Sequence, residues 1–160
     1  MAVMRTVRQS VGGIVAVVVW GVGLPTTSPA PQVQTARLAG HLLVASPELH
    51  DPHFEHAVVY LVRHDPDGAL GLIVNAPLGD VPLAALLDQA GLDSAGAAGA
   101  IRLHRGGPVE TTRVFVLHTD DYAASDTLRL GGGLAFTSQV AIVQAIAAGT
   151  GPRRAILALG

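Results

Sequence analysis

The chain has 160 residues, a length that suits one domain, and 49% of them are hydrophobic, which is enough for a packed core. Its formal net charge is −2 and its pI about 6.3, every basic residue is Arg, and no Arg cluster exceeds two residues. A nucleic-acid binder shows a basic face and a high pI, so direct nucleic-acid binding is not expected. The absence of Cys excludes a disulfide, a thiolate nucleophile and a Cys-ligated zinc, and leaves the redox compartment open.

Arg5 and Arg8 precede an uncharged stretch from Ser10 to Leu24, and Pro25-Thr26-Thr27-Ser28-Pro29-Ala30-Pro31 follows. Basic, then apolar, then small and polar is the order of a secretory signal. The apolar run is shorter than the roughly 20 residues of a transmembrane helix, and Gly12, Gly13, Gly21 and Gly23 lower its helix propensity. Ser28-Pro29-Ala30 has the small residues of a cleavage site, but Pro31 would follow the cut. Residues 1–36 are therefore expected to be a signal-like segment or an upstream extension with a linker, ahead of a domain at 37–160. The first expectation is a cytoplasmic protein. The alternative is one exported or membrane-anchored through residues 1–30, and membrane contact is expected only if residues 10–24 act as a signal or anchor.

Leu42 to Ser46 reads as a short strand, and Ser46 to Pro52 as a loop, because Pro47 and Pro52 remove amide donors and bias their predecessors to extended backbone. Ala57–Val62 and Ala69–Val74 are apolar runs flanking Pro66-Asp67-Gly68, which predicts a hairpin. Strands this apolar are expected to be covered on both faces. A helix is predicted over about 82–90, with Asp80 as its cap, Pro82 in its first turn, Leu83, Leu86, Leu87 and Ala90 on one face, and Gly91 past its end. Residues 93–100 read as a loop. Strands are predicted at 101–103, 114–118 and 127–130, the last broken by Gly131-Gly132-Gly133. A second helix is expected over about 138–148, capped by Ser138 or Thr137, with Val140, Val143, Ile146 and Ala147 inward and Gly149 past its end. Ala155–Leu159 is a final strand. Strands and helices do not alternate regularly, which indicates an α+β fold.

His50, His53 and His56 recur every three residues, with Asp51 and Glu55 among them. His and carboxylates at such spacing can bind a metal, although Pro52 argues against one helix through all three, and a solvated loop is the simpler reading. His118 ends an apolar strand and could act as a base to Ser46 or Ser138, but no nucleophile-elbow motif fixes such a pair. The three consecutive Gly before the second helix lack the Lys and Ser/Thr of a phosphate loop and read as a turn. No cofactor is expected.

Gly40-His41-Leu42-Leu43-Val44-Ala45-Ser46-Pro47, Asp51-Pro52-His53-Phe54, Asp67-Gly68-Ala69-Leu70-Gly71-Leu72-Ile73-Val74-Asn75-Ala76-Pro77-Leu78, Gly106-Gly107-Pro108-Val109 and Val116-Leu117-His118 together resemble the AlgH/YqgE family of bacterial proteins, in order and spacing, over roughly residues 38–160. The resemblance implies a compact α+β structure with a bent, partly barrel-like sheet and flanking helices, in the cytosol. It implies no catalytic residue. One branch of the family is named as a regulator of alginate production and taken as a transcriptional regulator. The implied function is indirect regulation through a protein or small-molecule partner, and the alternative is a hydrolase or metal-dependent enzyme using residues 50–56 or His118. The family often has a basic residue where Ala76 stands and Ser where Ala57 stands, and its members continue past the position of Gly160, so the domain is expected to be incomplete at its C-terminus. The motif residues to examine for binding are Ser46, Asp51, Asn75, Gly106, Gly107 and His118, each with a plain backbone role as the alternative. Asn75, for one, can simply bond a neighbouring loop. If Asp51, Asn75 and Gly107 line one cavity, a ligand site is indicated.

Overall fold

The structure, a computed structural model, describes residues 38–160; the segment 1–36 lies outside the described residues. The expected hairpin forms between β2 (Val58–Asp65) and β3 (Gly68–Ile73), with Asp65 opposite Gly68 and Pro66-Asp67 as a two-residue turn. β1 (Leu42–Val44) pairs antiparallel with β2 and completes a three-stranded sheet in the order β1-β2-β3. Both faces of the hairpin are covered at Val59–Val62 and at Leu72 and Ile73, but Ala69 and Leu70 near the turn are exposed.

Six further strands make a second, mixed sheet. They are β4 (Pro77–Pro82), β5 (Ala100–Arg105), β6 (Val114–Thr119), β7 (Leu128–Gly131), β8 (Leu134–Thr137) and β9 (Ala155–Leu159), in the order β4-β5-β9-β6-β8-β7. The expected α+β fold is present, with its strands in two open sheets. β9, the last strand in sequence, does not lie at an edge of this sheet. It sits inside the sheet, parallel to β5 and antiparallel to β6, and Leu157 and Ala158 are fully buried.

Two strands escape the sequence reading. β4 starts and ends with Pro, which an edge strand tolerates because its outer amides need no partner. Asp80 belongs to this strand and not to a helix cap. It stands opposite Arg102 and accepts two hydrogen bonds from its guanidinium, at 2.8 and 3.1 Å. β8 follows three Gly with φ of 81°, 62° and 79°, which turn β7 back on itself.

The helices are shorter than expected. α1 (Leu83–Gln89) has Pro82 at its N-cap with no side-chain cap, and the Leu83 N–H donates to the Gly99 carbonyl instead (3.1 Å). α2 (Ala141–Ala147) likewise has no side-chain cap: Thr137 ends β8, and Ser138 is held by Asp126. Both helices end as the sequence indicates. Gly91 (φ 68°) and Gly149 (φ 71°) take left-handed backbone, and Leu92 N–H to Leu87 C=O and Thr150 N–H to Ala145 C=O close two Schellman motifs, each at 2.9 Å.

The alternation of strand side chains sorts the core into layers. Tyr60, Val62 and Leu72 of the smaller sheet pack on Phe115, Leu117, Phe136 and Ala158 of the larger. On the opposite face of the larger sheet, Leu103, Val116 and Leu157 pack under Leu83 and Leu87 of α1 and Ile142 and Val143 of α2. Beyond the smaller sheet, Ala57, Val59 and Ile73 meet Leu43 and Phe54. Among the described residues no helix is long and apolar enough to cross a membrane.

Candidate functional site

The Pro-bounded loop after β1 is shaped by Asp51. Its Oδ1 accepts the His53 N–H (2.8 Å), and its carbonyl accepts the N–H groups of Phe54 (3.0 Å) and Glu55 (2.7 Å). This winding turns Phe54 onto the outer face of the smaller sheet and leaves His50, His53 and His56 exposed. His50 bonds the Glu48 carbonyl (2.6 Å), and His56, at φ 57°, lies 3.6 Å from Glu55. The three histidines do not converge, and among the described residues no group of three or more His, Asp or Glu is arranged to hold a metal. Pro52 and the turn it starts are the reason: consecutive turns of one helix never form.

Between this loop, the smaller sheet and the 106–113 segment lies a cavity of about 790 Å³. Its walls are chiefly apolar: Leu43, Val59, Leu61, the five consecutive residues Ala69–Ile73 of β3, Phe115 and Phe136. Asp51, Glu110, Arg113 and Ser138 supply its polar side chains. Arg113 donates to Glu110 (3.0 Å) and to Ser138 (3.4 Å), and its guanidinium lies over the Phe115 ring, 5.3 Å from the centroid. Ser138 in turn donates to Asp126 (3.1 Å), whose second carboxylate oxygen is buried without a partner.

Three of the six binding candidates, Asp51, Gly106 and Gly107, line this cavity. Gly106 joins the two sheets: its carbonyl accepts the Ile73 N–H (2.7 Å) and its N–H donates to Leu159 (2.6 Å). The other three do not line it. Asn75 fastens the mouth of the hairpin loop, accepting from Val58 N–H and donating to the His56 carbonyl, each at 2.8 Å. Ser46 donates to Glu48, whose carboxyl is held below its usual range chiefly by that hydroxyl. His118 is buried. Its Nδ1 meets the Thr119 carbonyl (2.8 Å) and its Nε2 meets Thr137 Oγ1 (3.0 Å), which meets Thr127 Oγ1 (2.9 Å), which accepts the Ala124 N–H (2.7 Å).

A carbonyl can only accept, so His118 carries its proton on Nδ1 and receives one from Thr137; every donor in the chain then has an acceptor. Neither Ser46 nor Ser138 touches this ring, so the nucleophile–base pairing does not form. Glu110 and Arg113 were not among the residues expected at a site, and the apolar run of β3, expected to be covered on both faces, instead walls the cavity. Phe54, a lone aromatic in a polar loop, supplies part of that cover.

The molecule is thus a small α+β domain with two open sheets and an apolar cavity where they diverge. Its residues 42–160 match the family model described as AlgH-like (DUF179), and the chain belongs to that family. It is 44% identical over 146 residues to a UPF0301 protein of Afipia carboxidovorans, covering 86% of this chain and 69% of the relative. A UPF0301 protein of Bradyrhizobium diazoefficiens is 44% identical over 143 residues, covering 84% and 67%. The solution structure of the AlgH protein from Pseudomonas aeruginosa superposes with a TM-score of 0.65 at 40% identity, over 83% of this chain and 68% of that one. A Corynebacterium diphtheriae protein shares the fold at 19% identity, with a TM-score of 0.55.

Proposed function

We propose that this AlgH-like protein is a non-catalytic binding protein that acts on its pathway indirectly, through an occupant of the cavity between the hairpin sheet and the 106–113 segment. The carrying observation is the cavity itself, about 790 Å³ with largely apolar walls and Asp51, Gly106 and Gly107 in its lining. Burial of apolar surface is the driving force such a site offers, and its few polar groups would orient the occupant. Indirect action also fits the surface charge. Among the described residues Arg63, Arg102, Arg113, Arg129 and Arg153 each pair with a carboxylate, so five of the seven described Arg are not free cations for a nucleic-acid backbone. The working compartment on this reading is the cytoplasm, which fractionation of cells expressing the full chain checks.

The test is titration with the apolar reporter anilinonaphthalene sulfonate. One saturable site is expected. Leu70→Asp, which sets a charge on the wall at an exposed position, should weaken it at least tenfold with the melting temperature kept. Failure to bind, or binding indifferent to Leu70→Asp, rejects the reading.

A further inference from the structure

The hydrogen bonds of the hairpin say which backbone groups of β3 face the cavity. Val74 N–H donates to the Val58 carbonyl (2.9 Å), so these two residues form a hydrogen-bonded pair. Antiparallel pairs alternate, so Val59 opposite Ile73 and Leu61 opposite Gly71 turn their N–H and C=O groups away from each other. On the β2 side those groups serve β1: the Leu61 N–H donates to His41 (2.9 Å) and its carbonyl accepts from Gly40 (2.7 Å). On the β3 side the Ile73 N–H reaches Gly106 (2.7 Å). The same phase follows from the turn. Asp65 and Gly68 close a two-residue hairpin as a bonded pair, so Ala69 points outward, and the bulge between Leu61 and Arg63 falls on β2, leaving β3 in step. Ala69 and Gly71 therefore present N–H and C=O groups outward, and among the described residues these have no backbone partner. Both residues line the cavity.

Resting on the reading of the cavity as a binding site, we propose that its occupant is an extended peptide segment of a protein partner, apolar with one basic side chain, which adds as a strand to the Ala69–Gly71 edge of β3. Edge groups of this kind are satisfied by another backbone, while the apolar walls take alternate side chains. The charge of the lining selects the basic residue. Among the described lining residues Asp51 and Glu110 stand with a single guanidinium, Arg113, which is already paired with Glu110, so the surplus carboxylate is complemented by a cation on the segment.

The experiment uses the full 160-residue chain and a capped heptapeptide, Val-Thr-Val-Arg-Val-Thr-Val, with two isomers N-methylated at odd or at even positions. Binding is read by displacement of anilinonaphthalene sulfonate and by backbone amide exchange. The parent peptide should displace the reporter and slow exchange at Ala69 and Gly71, and one methylated isomer should bind at least tenfold more weakly than the other. Ala69→Pro removes one outward N–H at an exposed edge position, where Pro is tolerated, and should also weaken binding tenfold. Equal binding of parent and both isomers overturns strand addition in favour of plain apolar filling. Reporter binding without peptide binding overturns the peptide and leaves the cavity reading in place; absence of both removes both. Concentration-dependent self-association relieved by Ala69→Pro would make a second copy the occupant and overturn the proposal.

Discussion

Gly106 and Gly107 look equivalent in the sequence, and the structure separates them. A Cβ at Gly106 would lie 2.7 Å from the Gly160 carbonyl oxygen, 2.7 Å from Leu72 Cδ1 and 3.0 Å from the Ala158 Cβ. Leu72 and Ala158 are core residues of the two packed sheets, so the neighbours cannot step back independently. A Cβ at Gly107 would meet nothing nearer than 3.6 Å, and its backbone, ahead of Pro108, has no left-handed angle to lose. Overpacking by one methyl costs about 1–3 kcal/mol. Shifting Gly106 also weakens its bonds to Ile73 and Leu159, each worth about 1 kcal/mol net. Gly106→Ala should therefore destabilise by about 2–4 kcal/mol, and Gly107→Ala by less than about 0.5 kcal/mol. Urea unfolding of the full chain measures both, with an unchanged m value as the sign that only stability moved. In melting temperature the Gly106 variant should fall by roughly 4–16 °C, at about 2–4 °C per kcal/mol for a chain of this size. A Gly106→Ala protein as stable as wild type, or equal losses from both variants, would refute the packing argument and return both glycines to a common role.

Asn75→Ala should cost about 1–2 kcal/mol in the same assay, since it frees the Val58 N–H and the His56 carbonyl; Asn75→Asp should lose less, because it keeps the acceptor for Val58. His118→Phe conserves bulk but strands Thr137 and the Thr119 carbonyl, so about 2–4 kcal/mol should be lost, and a near-neutral result would mean the ring contributes only volume. Asp80 is depressed chiefly by the hydrogen bond from Arg102, and Asp121 chiefly by the Thr119 hydroxyl and then Arg153. Folded values below the unfolded ones mean a contribution fully present above the ordinary aspartate range and lost as pH falls through the folded values beneath it; Arg102→Gln should raise the Asp80 carboxyl, followed by NMR, back toward that ordinary range.

What was legible in the sequence was whatever is decided within a few residues. Pro66-Asp67-Gly68 places a hairpin because it sets backbone angles locally, and Gly91 and Gly149 stop helices for the same reason. The errors arise where a residue able to act locally is claimed from a distance. Asp80 and Ser138 are competent caps, but Asp80 is drawn to Arg102, 22 positions on, and Ser138 to Asp126, which leaves both helices without a side-chain cap. The cavity was half legible. Asp51 and Gly107 meet there because both flank the same hairpin, while Asn75, on the same motif, faces the other way to hold His56 and Val58. Glu110 and Arg113 carry no signature, since an exposed pair three residues apart looks like any solvated turn.

The placement of β9 bears on how the cavity comes to exist at all. In the larger sheet, β4 pairs only with β5, while β6, β7 and β8 form a separate antiparallel group; β9 alone is hydrogen-bonded to both. Without Ala155–Leu159 the remaining five strands of this sheet are two unconnected pieces. The Leu159 carbonyl then extends the connection outward by accepting the Gly106 N–H, and Gly106 passes it to Ile73 at the end of the hairpin. A single line of backbone bonds therefore runs from the last described strand through Gly106 to β3. Every strand pairing that β9 makes spans at least 37 residues, so the loop-closure cost is met late and its reward is shared by both sheets. The wall of the cavity that carries the free edge of β3 is held in place by the strand farthest from it in sequence, which is why no local reading of residues 67–78 could have found it.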